Sequence, residues 1–239
     1  MKLAIMQPTF IPWIGYFDLI DYVDEFVFLD TVQLARRSWQ VRNKLKIEDK
    51  EYMFSLPIKK DKHRNEAILK DIKLSFENYD FILKFKQLLL HSYKKAKYFD
   101  ELSENIFNIL SFKTDYLCEY NINFIQEVSK LLNIKTKFIK ASNLKDISGL
   151  KGDLILNICL NRSCDEYISA SGSKEYLDKY LDKFQQENIE IVYQCYDHPM
   201  YKQIGDNFIS YLGILDLLFN EGLENTKNII LKGRNFANT

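Results

Sequence analysis

The first group of residues that could bind a ligand lies near the N-terminus. Residues 2–6 form a short apolar run that predicts a buried strand, and a glutamine and a proline end it. In the loop that follows, prolines fix the backbone, a glycine permits close approach of a ligand, and aromatic rings can stack on a base or a sugar. Because ligands of open α/β sheets bind beyond the carboxyl ends of strands, we predict a binding loop; the alternative is a rigid aromatic turn that only packs. The candidate binding residues are Gln7, Pro8, Trp13, Gly15 and Tyr16.

The second group is basic and surrounds a tryptophan. Its arginine guanidinium groups match the oxygens of a diphosphate or triphosphate. Asp30 and Gln33 lie just upstream and could hold a hydroxyl group or a magnesium ion. The alternative is a charged segment that only faces solvent, as most basic runs do. The candidate nucleotide-binding residues are Arg36, Arg37, Trp39, Arg42, Asn43 and Lys44, and Asp30 and Arg37 are also candidate catalytic residues.

A third group lies where a predicted strand leads into a predicted helix, at residues 169–176. Small hydroxyl residues and a glycine there leave the start of the helix open to an anion, and a lysine adds a positive charge. The alternative is a helix that Ser173 merely caps. The candidate residues are Ser169, Ser171, Gly172 and Tyr176 for binding and Lys174 for catalysis.

The fourth group follows a predicted strand that ends at residue 196. His198 could serve as a general base near neutral pH, although a lone histidine is more often structural. The same segment carries Tyr201 and Gln203, which we assign to substrate binding.

The elements that must position these groups alternate between strands and helices. A strand at 2–6, a helix at 16–22 and a strand at 25–30 form a βαβ unit, which predicts a parallel sheet. We therefore predict an α/β fold with a mostly parallel, Rossmann-like sheet flanked by helices, in one domain over residues 1–239 with a helical insertion at about 78–133. The other predicted strands are 51–58, 135–142, 166–171 and 189–196, and the other predicted helices are 151–162, 174–187 and 209–221.

Composition excludes several classes of protein. The 33 basic and 33 acidic residues balance, which argues against a general nucleic-acid-binding protein. No secretory signal is present and no apolar run is long enough to cross a membrane, so we expect a cytoplasmic protein with no membrane insertion. The sequence has no P-loop, G-x-G-x-x-G, H-E-x-x-H or G-x-S-x-G motif. Isolated histidines and scattered cysteines predict no metal site.

Taken together, these segments resemble the WbqC-like protein family, and the resemblance extends along the whole chain. It implies work on activated sugars or their substituents, because members of the family occur among genes for O-antigen and related surface glycans. The residues that carry it are Gln7-Pro8, Pro12–Tyr16, Asp30, Arg36–Trp39, Arg42-Asn43, Pro57, Ser169–Gly172, Tyr176-Leu177, Tyr201, Gln203, Ile214–Asn220 and Gly222.

The first βαβ unit is also distantly similar to the nucleotide-binding entry of pantothenate synthetase and related nucleotidyltransferase-like enzymes. Those enzymes activate a carboxylate as an acyl-adenylate, which an amine captures as an amide. Their His-x-Gly-His motif would fall on residues 13–16, where tryptophan and tyrosine replace both histidines. Stabilisation of phosphate charge would then come from other cations, for which the candidates are Arg36, Arg37, Arg42, Lys44 and Lys174.

The resulting functional prediction is amide formation on the amino group of a nucleotide-linked amino sugar, with a small amino acid such as glycine as the acyl group. ATP and Mg²⁺ are the candidate cofactors, and no tightly bound cofactor is expected. In this scheme Asp30 positions magnesium or a ribose hydroxyl, and His198 takes a proton from the attacking amine. One alternative uses aminoacyl-tRNA as a preactivated donor, and another is a non-catalytic binding subunit of a glycan assembly complex. A homodimer is compatible with the sequence.

Overall fold

The central element of the fold is a six-stranded sheet of order β5-β2-β1-β6-β7-β8. The computed structural model describes residues 1–35, 38–59, 67–76 and 80–238. The strands of this sheet are β1 (Lys2–Met6), β2 (Glu25–Phe28), β5 (Lys137–Lys140), β6 (Glu166–Ala170), β7 (Glu190–Gln194) and β8 (Phe236–Asn238), and β3 (Arg42–Ile47) and β4 (Lys50–Ser55) form a separate hairpin. The helices are α1 (Ile14–Tyr22), α2 (Phe81–Tyr93), α3 (Phe99–Leu110), α4 (Leu117–Leu131), α5 (Gly152–Asn161), α6 (Lys174–Leu177), α7 (Leu181–Gln186) and α8 (Ile214–Lys232).

Five strands of the sheet are parallel, and only β8 pairs antiparallel, with β7. The predicted α/β fold with a mostly parallel sheet is therefore confirmed. From β1 the chain moves outward through β2 to β5 and then returns to the other side of β1 to form β6. The strand order thus reverses between β1 and β6, and such a point is where open α/β sheets bind their ligands.

Both faces of the sheet are covered, which explains why its strands read as continuous apolar runs. Side chains alternate between the two faces along each strand. Ala4, Phe26 and Phe28 face a first core that includes residues of α1, α2–α4 and α8, whereas Leu3 and Val27 face a second core with residues of α5 and α7. The helical periodicity predicted for residues 78–133 corresponds to α2–α4.

The β3–β4 hairpin differs from the prediction. A strand was expected at 51–58, but its partner at Arg42–Ile47 was not, because basic side chains occupy half of that strand. Asn43, Leu45 and Lys46 are the buried residues of this strand. Glu48 and Asp49 form the turn, both with positive φ, as the tight turns of two-residue hairpins require.

The C-terminal part of the chain differs in three ways. The helix predicted at 209–221 begins at Ile214 and continues to Lys232, with a break in helical geometry at Gly222, where φ is +75°. The helix predicted at 174–187 is two short helices separated by a 3₁₀ turn. The final strand β8 was not predicted. No helix in the described part of the chain has the length and apolar character needed to cross a membrane.

Candidate functional site

A cavity of about 330 Å³ opens beyond the carboxyl end of β1. This volume is within the range of small-molecule binding sites. Three parts of the chain line this cavity: the predicted binding loop after β1, the basic segment that leads into β3, and the connection that precedes α8. The lining residues are Met6, Thr9, Pro12, Trp13, Tyr16, Trp39, Asn43, Lys44 and Tyr211.

The loop at residues 7–13 is held rigidly by amide side chains from other elements. The buried Asn43 donates from Nδ2 to the carbonyls of Phe10, at 2.8 Å, and Ile11, at 2.6 Å. Asn121 of α4 donates to the carbonyl of Pro8 at 3.0 Å. Ile11 adopts φ +46°, which is unfavourable for a β-branched residue. These bonds therefore maintain a backbone that the loop would not adopt by itself, as binding sites often require.

Gln7 and Tyr16 contribute to this rigid loop rather than to an open surface. The hydroxyl of Tyr16 donates to the carbonyl of Gln7 at 3.0 Å. Gln40 of the segment before β3 donates from Nε2 to Oε1 of Gln7 at 2.6 Å. Pro8 is buried, and its carbonyl accepts from α4. Of these predicted binding residues, Tyr16 lines the cavity, and Gln7 and Pro8 hold the loop.

Four aromatic residues, Trp13, Tyr16, Trp39 and Tyr211, are among the nine described residues that line the cavity. Trp39 and Tyr211 are 45% and 53% exposed, so their faces are accessible to a ligand. Trp13 packs edge-on against Tyr196, with ring centroids 5.4 Å apart. Gly15 provides room for Trp13, because a Cβ at Gly15 would lie 2.2 Å from the indole. Gly15 itself does not line the cavity, and the prediction that it permits close approach of a ligand stays a prediction.

The predicted phosphate-binding cations do not converge within the described residues. Arg42 places its guanidinium 5.5 Å from the centroid of the Trp39 ring. Lys44 lines the cavity but pairs with Glu51 at 2.8 Å. Lys174 lies over a tyrosine ring on the other side of the sheet. Arg36 and Arg37 lie outside the described residues, so their predicted roles stay predictions.

Asp30 and Gln33 lie away from the cavity lining. Asp30 is buried, and its two carboxylate oxygens accept from the backbone N–H of Ser142, at 2.9 Å, and from the Ser142 hydroxyl, at 2.5 Å. It thereby ties the end of β2 to the turn after β5. A carboxylate enclosed in this way does not fit a magnesium site. Gln33 is exposed and forms an isolated β-bridge with Ile68.

The third predicted group is adjacent to the site but does not line the cavity. Ser169 points to the second core, where its hydroxyl donates to Tyr167 at 3.3 Å and shares a hydrogen bond with Ser173 at 2.5 Å. Ser173 does not cap the helix, because its hydroxyl donates to the carbonyl of Ala170. Ser171, Gly172 and Tyr176 are exposed, and a Cβ at Gly172 would meet no described atom within 4 Å.

His198 is packed into the aromatic wall. Its ring stacks on Trp13, with centroids 6.2 Å apart and planes 12° apart. Its Nε2 accepts the backbone N–H of Tyr211 at 3.1 Å, and its Nδ1 lies 3.0 Å from the carbonyl oxygen of Pro199. Burial lowers the pKa of His198, so the imidazole is neutral at pH 7. General-base action stays a prediction, and it requires release of the Tyr211 N–H.

Tyr201 and Gln203 hold the connection between β7 and α8 and do not line the cavity. Tyr201 donates to Oδ2 of Asp216 at 2.8 Å, and Tyr93 donates to Oδ1 at 3.0 Å. Asp216 is fully buried, and burial raises its pKa to about 6. Gln203 exchanges two hydrogen bonds with the backbone of Ile209, both at 2.8 Å.

Sequence reasoning did not nominate Met6, Thr9, Pro12 or Tyr211, which line the cavity, or Asp216, which accepts from Tyr201. Tyr211 was assigned to the predicted helix at 209–221. In the structure that helix begins at Ile214, so Tyr211 belongs to the preceding connection, from which it lines the cavity. Asp216 stands in an apolar helix, and an acidic residue on such a helix is the signal that could have identified a buried polar network.

Comparison with known proteins gives a family and a relative. The sequence model of the WbqC-like protein family matches residues 7–228. The chain is 29% identical over 225 residues to the uncharacterized protein Rv1507c of Mycobacterium tuberculosis, a match that covers 93% of this chain and 95% of the relative. No solved structure gives a significant match.

Proposed function

The chain belongs to the WbqC-like protein family, and from this premise we propose that it forms an amide on the amino group of a nucleotide-linked amino sugar in O-antigen or related surface-glycan biosynthesis. The observation that carries the proposal is the aromatic-walled cavity at the carboxyl edge of the parallel sheet, where β1 ends. In this fold that edge is the usual place for nucleotide-containing ligands.

The chemistry of the cavity supports a nucleotide with an attached sugar. The exposed indole of Trp39 offers a flat surface on which a base can stack, a contact worth about 1–3 kcal/mol. Thr9 adds a hydroxyl and Lys44 a positive charge. A cavity of about 330 Å³ suits one or two rings of the ligand. The rest would extend along the sheet edge toward Gly172, whose surroundings in the described structure are open.

The favoured reaction has two balanced steps. A carboxylate oxygen of the amino acid attacks the α-phosphorus of MgATP, which forms an acyl-adenylate and releases pyrophosphate. The sugar amine then attacks the acyl carbon, the bond from that carbon to the AMP oxygen breaks, and the amine gives up one proton as AMP leaves. Arginine side chains of the basic segment would stabilise the phosphate charge. Asp30 has no part in this scheme, because its oxygens are occupied.

A second candidate is a non-catalytic subunit that binds the sugar nucleotide. The hydrogen bonds of two described residues favour this candidate. The sequence predicts that one of them positions magnesium and that the other takes a proton from the amine. Asp30 and His198 both direct their hydrogen-bonding atoms to protein partners. A binding protein needs neither residue for chemistry.

The test combines turnover with binding. Purified protein is incubated with ATP, magnesium, small amino acids and nucleotide-linked amino sugars that include UDP-glucosamine, and a mass spectrum is taken. Acylated sugar nucleotide with AMP supports the proposed route, and product with ADP retains amide formation but not the adenylate. Product formed only from aminoacyl-tRNA identifies the preactivated donor. Binding without product under any condition supports the second candidate, and absence of binding refutes both.

Variants connect the result to the cavity. Trp39→Ala should weaken binding of the sugar nucleotide by about 5- to 150-fold, as expected for one lost stacking contact. Tyr52→Ala is the matched control, because Tyr52 is similarly exposed, at 47%, lies on the hairpin that follows Trp39 in the chain, and does not line the cavity. Equal effects of the two variants would contradict the assignment of the site.

Replacement of Arg36 and Arg37 by alanine separates the two candidates. An enzyme should lose turnover while it remains folded, as circular dichroism would show. A binding subunit should lose a partner or show no change.

A further inference from the structure

The connection between β7 and α8 contributes one aromatic side chain to the cavity. Residues 195–212, all of which are described, contain neither helix nor strand. Near its end Tyr211 adopts φ +57°, a left-handed conformation that tyrosine rarely occupies. Its side chain lines the cavity and remains half exposed. Contacts with other residues must therefore hold Tyr211 in this position.

His198 provides the hydrogen bond that does so. The carbonyl oxygen of Pro199, 3.0 Å from Nδ1, can only accept, so Nδ1 carries the proton. Nε2 is then a bare acceptor for the backbone N–H of Tyr211 at 3.1 Å. The same imidazole packs against Trp13 and Tyr211, with centroid distances of 6.2 and 4.8 Å, and these two rings also contact each other at 5.3 Å. Only the neutral imidazole satisfies all of these contacts.

We propose that neutral His198 is the positioning residue that fixes Tyr211 against the cavity, and that protonation of Nε2 releases this wall. An imidazolium has no acceptor, so two N–H donors would then face each other at Nε2. The inference rests on the proposed function and deepens it, because it makes binding of the nucleotide-linked sugar depend on the charge of one histidine. His198 acts here through Tyr211 and need not touch the ligand.

Four aromatic rings pack on His198. Trp13 approaches it from the loop before α1, and Tyr201, Phe208 and Tyr211 approach from the connection itself, with centroid distances of 4.8–6.3 Å. Burial raises the pKa of the Tyr201 phenol well above its ordinary value. Burial lowers the pKa of His198, so its transition falls below the ordinary histidine value of 6.5.

Two carboxylates lie near His198 but outside the group of rings that packs on it. Asp197 precedes His198 in the chain, is exposed, and accepts from Asn235 at 3.4 Å. Asp216 is linked to the cluster through the hydroxyl of Tyr201, at 2.8 Å, and it also titrates in the acidic range. The experiment must therefore separate His198 from Asp216.

Two signals follow the contact without any ligand. Labelling with ¹⁵N-tyrosine gives one amide signal for each of the 15 tyrosines, and the signal absent from Tyr211→Phe identifies Tyr211. In a Trp39→Phe background Trp13 is the only tryptophan, and a protonated imidazole stacked on it quenches its fluorescence. Both signals are recorded from about pH 8 to about pH 5, the interval that contains histidine titration.

The expected result is a common midpoint below pH 6.5 for both signals in protein with a native His198. His198→Gln keeps an acceptor without titration, so both transitions should disappear while Tyr211 retains its neutral-pH signal. His198→Phe keeps the ring but not the acceptor, so Tyr211 should show its low-pH signal throughout. Asp216→Asn should retain both transitions. A Tyr211 signal that stays constant while Trp13 fluorescence titrates, or that follows Asp216 instead, would overturn the proposal.

Binding of UDP-glucosamine connects the contact to the cavity. Its affinity should fall by about three- to tenfold through the transition, as expected for one lost hydrogen bond, and should not vary with pH in His198→Gln. Lack of binding at every pH would count against the proposed function and not against the NMR result. Binding that ignores pH, while the Tyr211 signal moves, would overturn the role of His198 in the site.

Discussion

Substitution of Gly15 by alanine tests how the cavity wall is built. Gly15 lies in the first turn of α1, and a Cβ there would lie 2.2 Å from Cη2 of Trp13 and 2.5 Å from Cζ3. Ordinary carbon–carbon contacts are about 3.5–4.0 Å, so the indole must move by more than about 1 Å. Tyr196, His198 and Tyr211 pack around that ring at centroid distances of 5.3–6.2 Å.

The magnitude follows from two opposing effects. Overpacking of this kind costs about 1–3 kcal/mol, whereas alanine in a helix gains about 1 kcal/mol over glycine. Gly15→Ala should therefore lower the free energy of unfolding by up to about 2 kcal/mol. In a Trp13→Ala background the clash is absent, so the same substitution should stabilise the protein by about 0.5–1 kcal/mol. The change of sign is the specific prediction.

Urea unfolding followed by circular dichroism measures all four proteins of this double-mutant cycle. Gly172→Ala is the matched control, because a Cβ there would meet no described atom within 4 Å, and its effect should stay within about 0.5 kcal/mol. Gly15→Ala should also weaken binding of UDP-glucosamine, since Trp13 lines the cavity. Equal effects of Gly15→Ala in both backgrounds, or stabilisation in the native background, would refute the packing argument.

Substitutions at three further residues test the surroundings of the site. Asn43→Ala leaves two buried loop carbonyls without their donor, so the free energy of unfolding should fall by about 2–4 kcal/mol in urea titrations; a change below about 0.5 kcal/mol would contradict this role. The pKa of Asp216 is raised from 3.8 to about 6, so the folded state binds the extra proton between these values and its stability should decline by about 3 kcal/mol as pH rises through them; Asp216→Asn should remove this decline, and an unchanged pH profile would exclude it. Asp30→Ala should destabilise the chain by about 2 kcal/mol because Ser142 loses its acceptor, whereas Asp30→Asn should retain any turnover, and its complete loss would restore a catalytic role to Asp30.

The sequence was sufficient for the parts of the fold that depend on local pattern. The apolar run before Gln7, the amphipathic turn beginning near Tyr16 and the apolar run at 25–30 predict the βαβ unit, and the structure contains it. Periodicity predicted the helices between residues 78 and 133 equally well. It failed for β3, because arginine and lysine occupy alternate positions of the strand, including the buried Lys46, and conceal its apolar alternation.

The candidate site was predictable in part. Trp13, Tyr16, Trp39 and Lys44 were nominated from residue type and from position after a strand or beside an aromatic ring, and all four line the cavity. Ser169 satisfied the same rule and yet points to the opposite face of the sheet. A strand period of two decides which face a side chain takes, but only the register of β6 against β1 shows which face belongs to the site.

By itself, the sequence determined most of the strands and helices and which loops follow strand ends, because these depend on periodicity and on residues close in the chain. Only the tertiary structure decided that Asn43 and Asn121 hold the loop at 7–13, and that Tyr211 lines the cavity and donates its backbone N–H to His198. Those contacts join residues separated by 13 to 113 positions. Their existence depends on strand order and on the path of long connections, which no local pattern encodes.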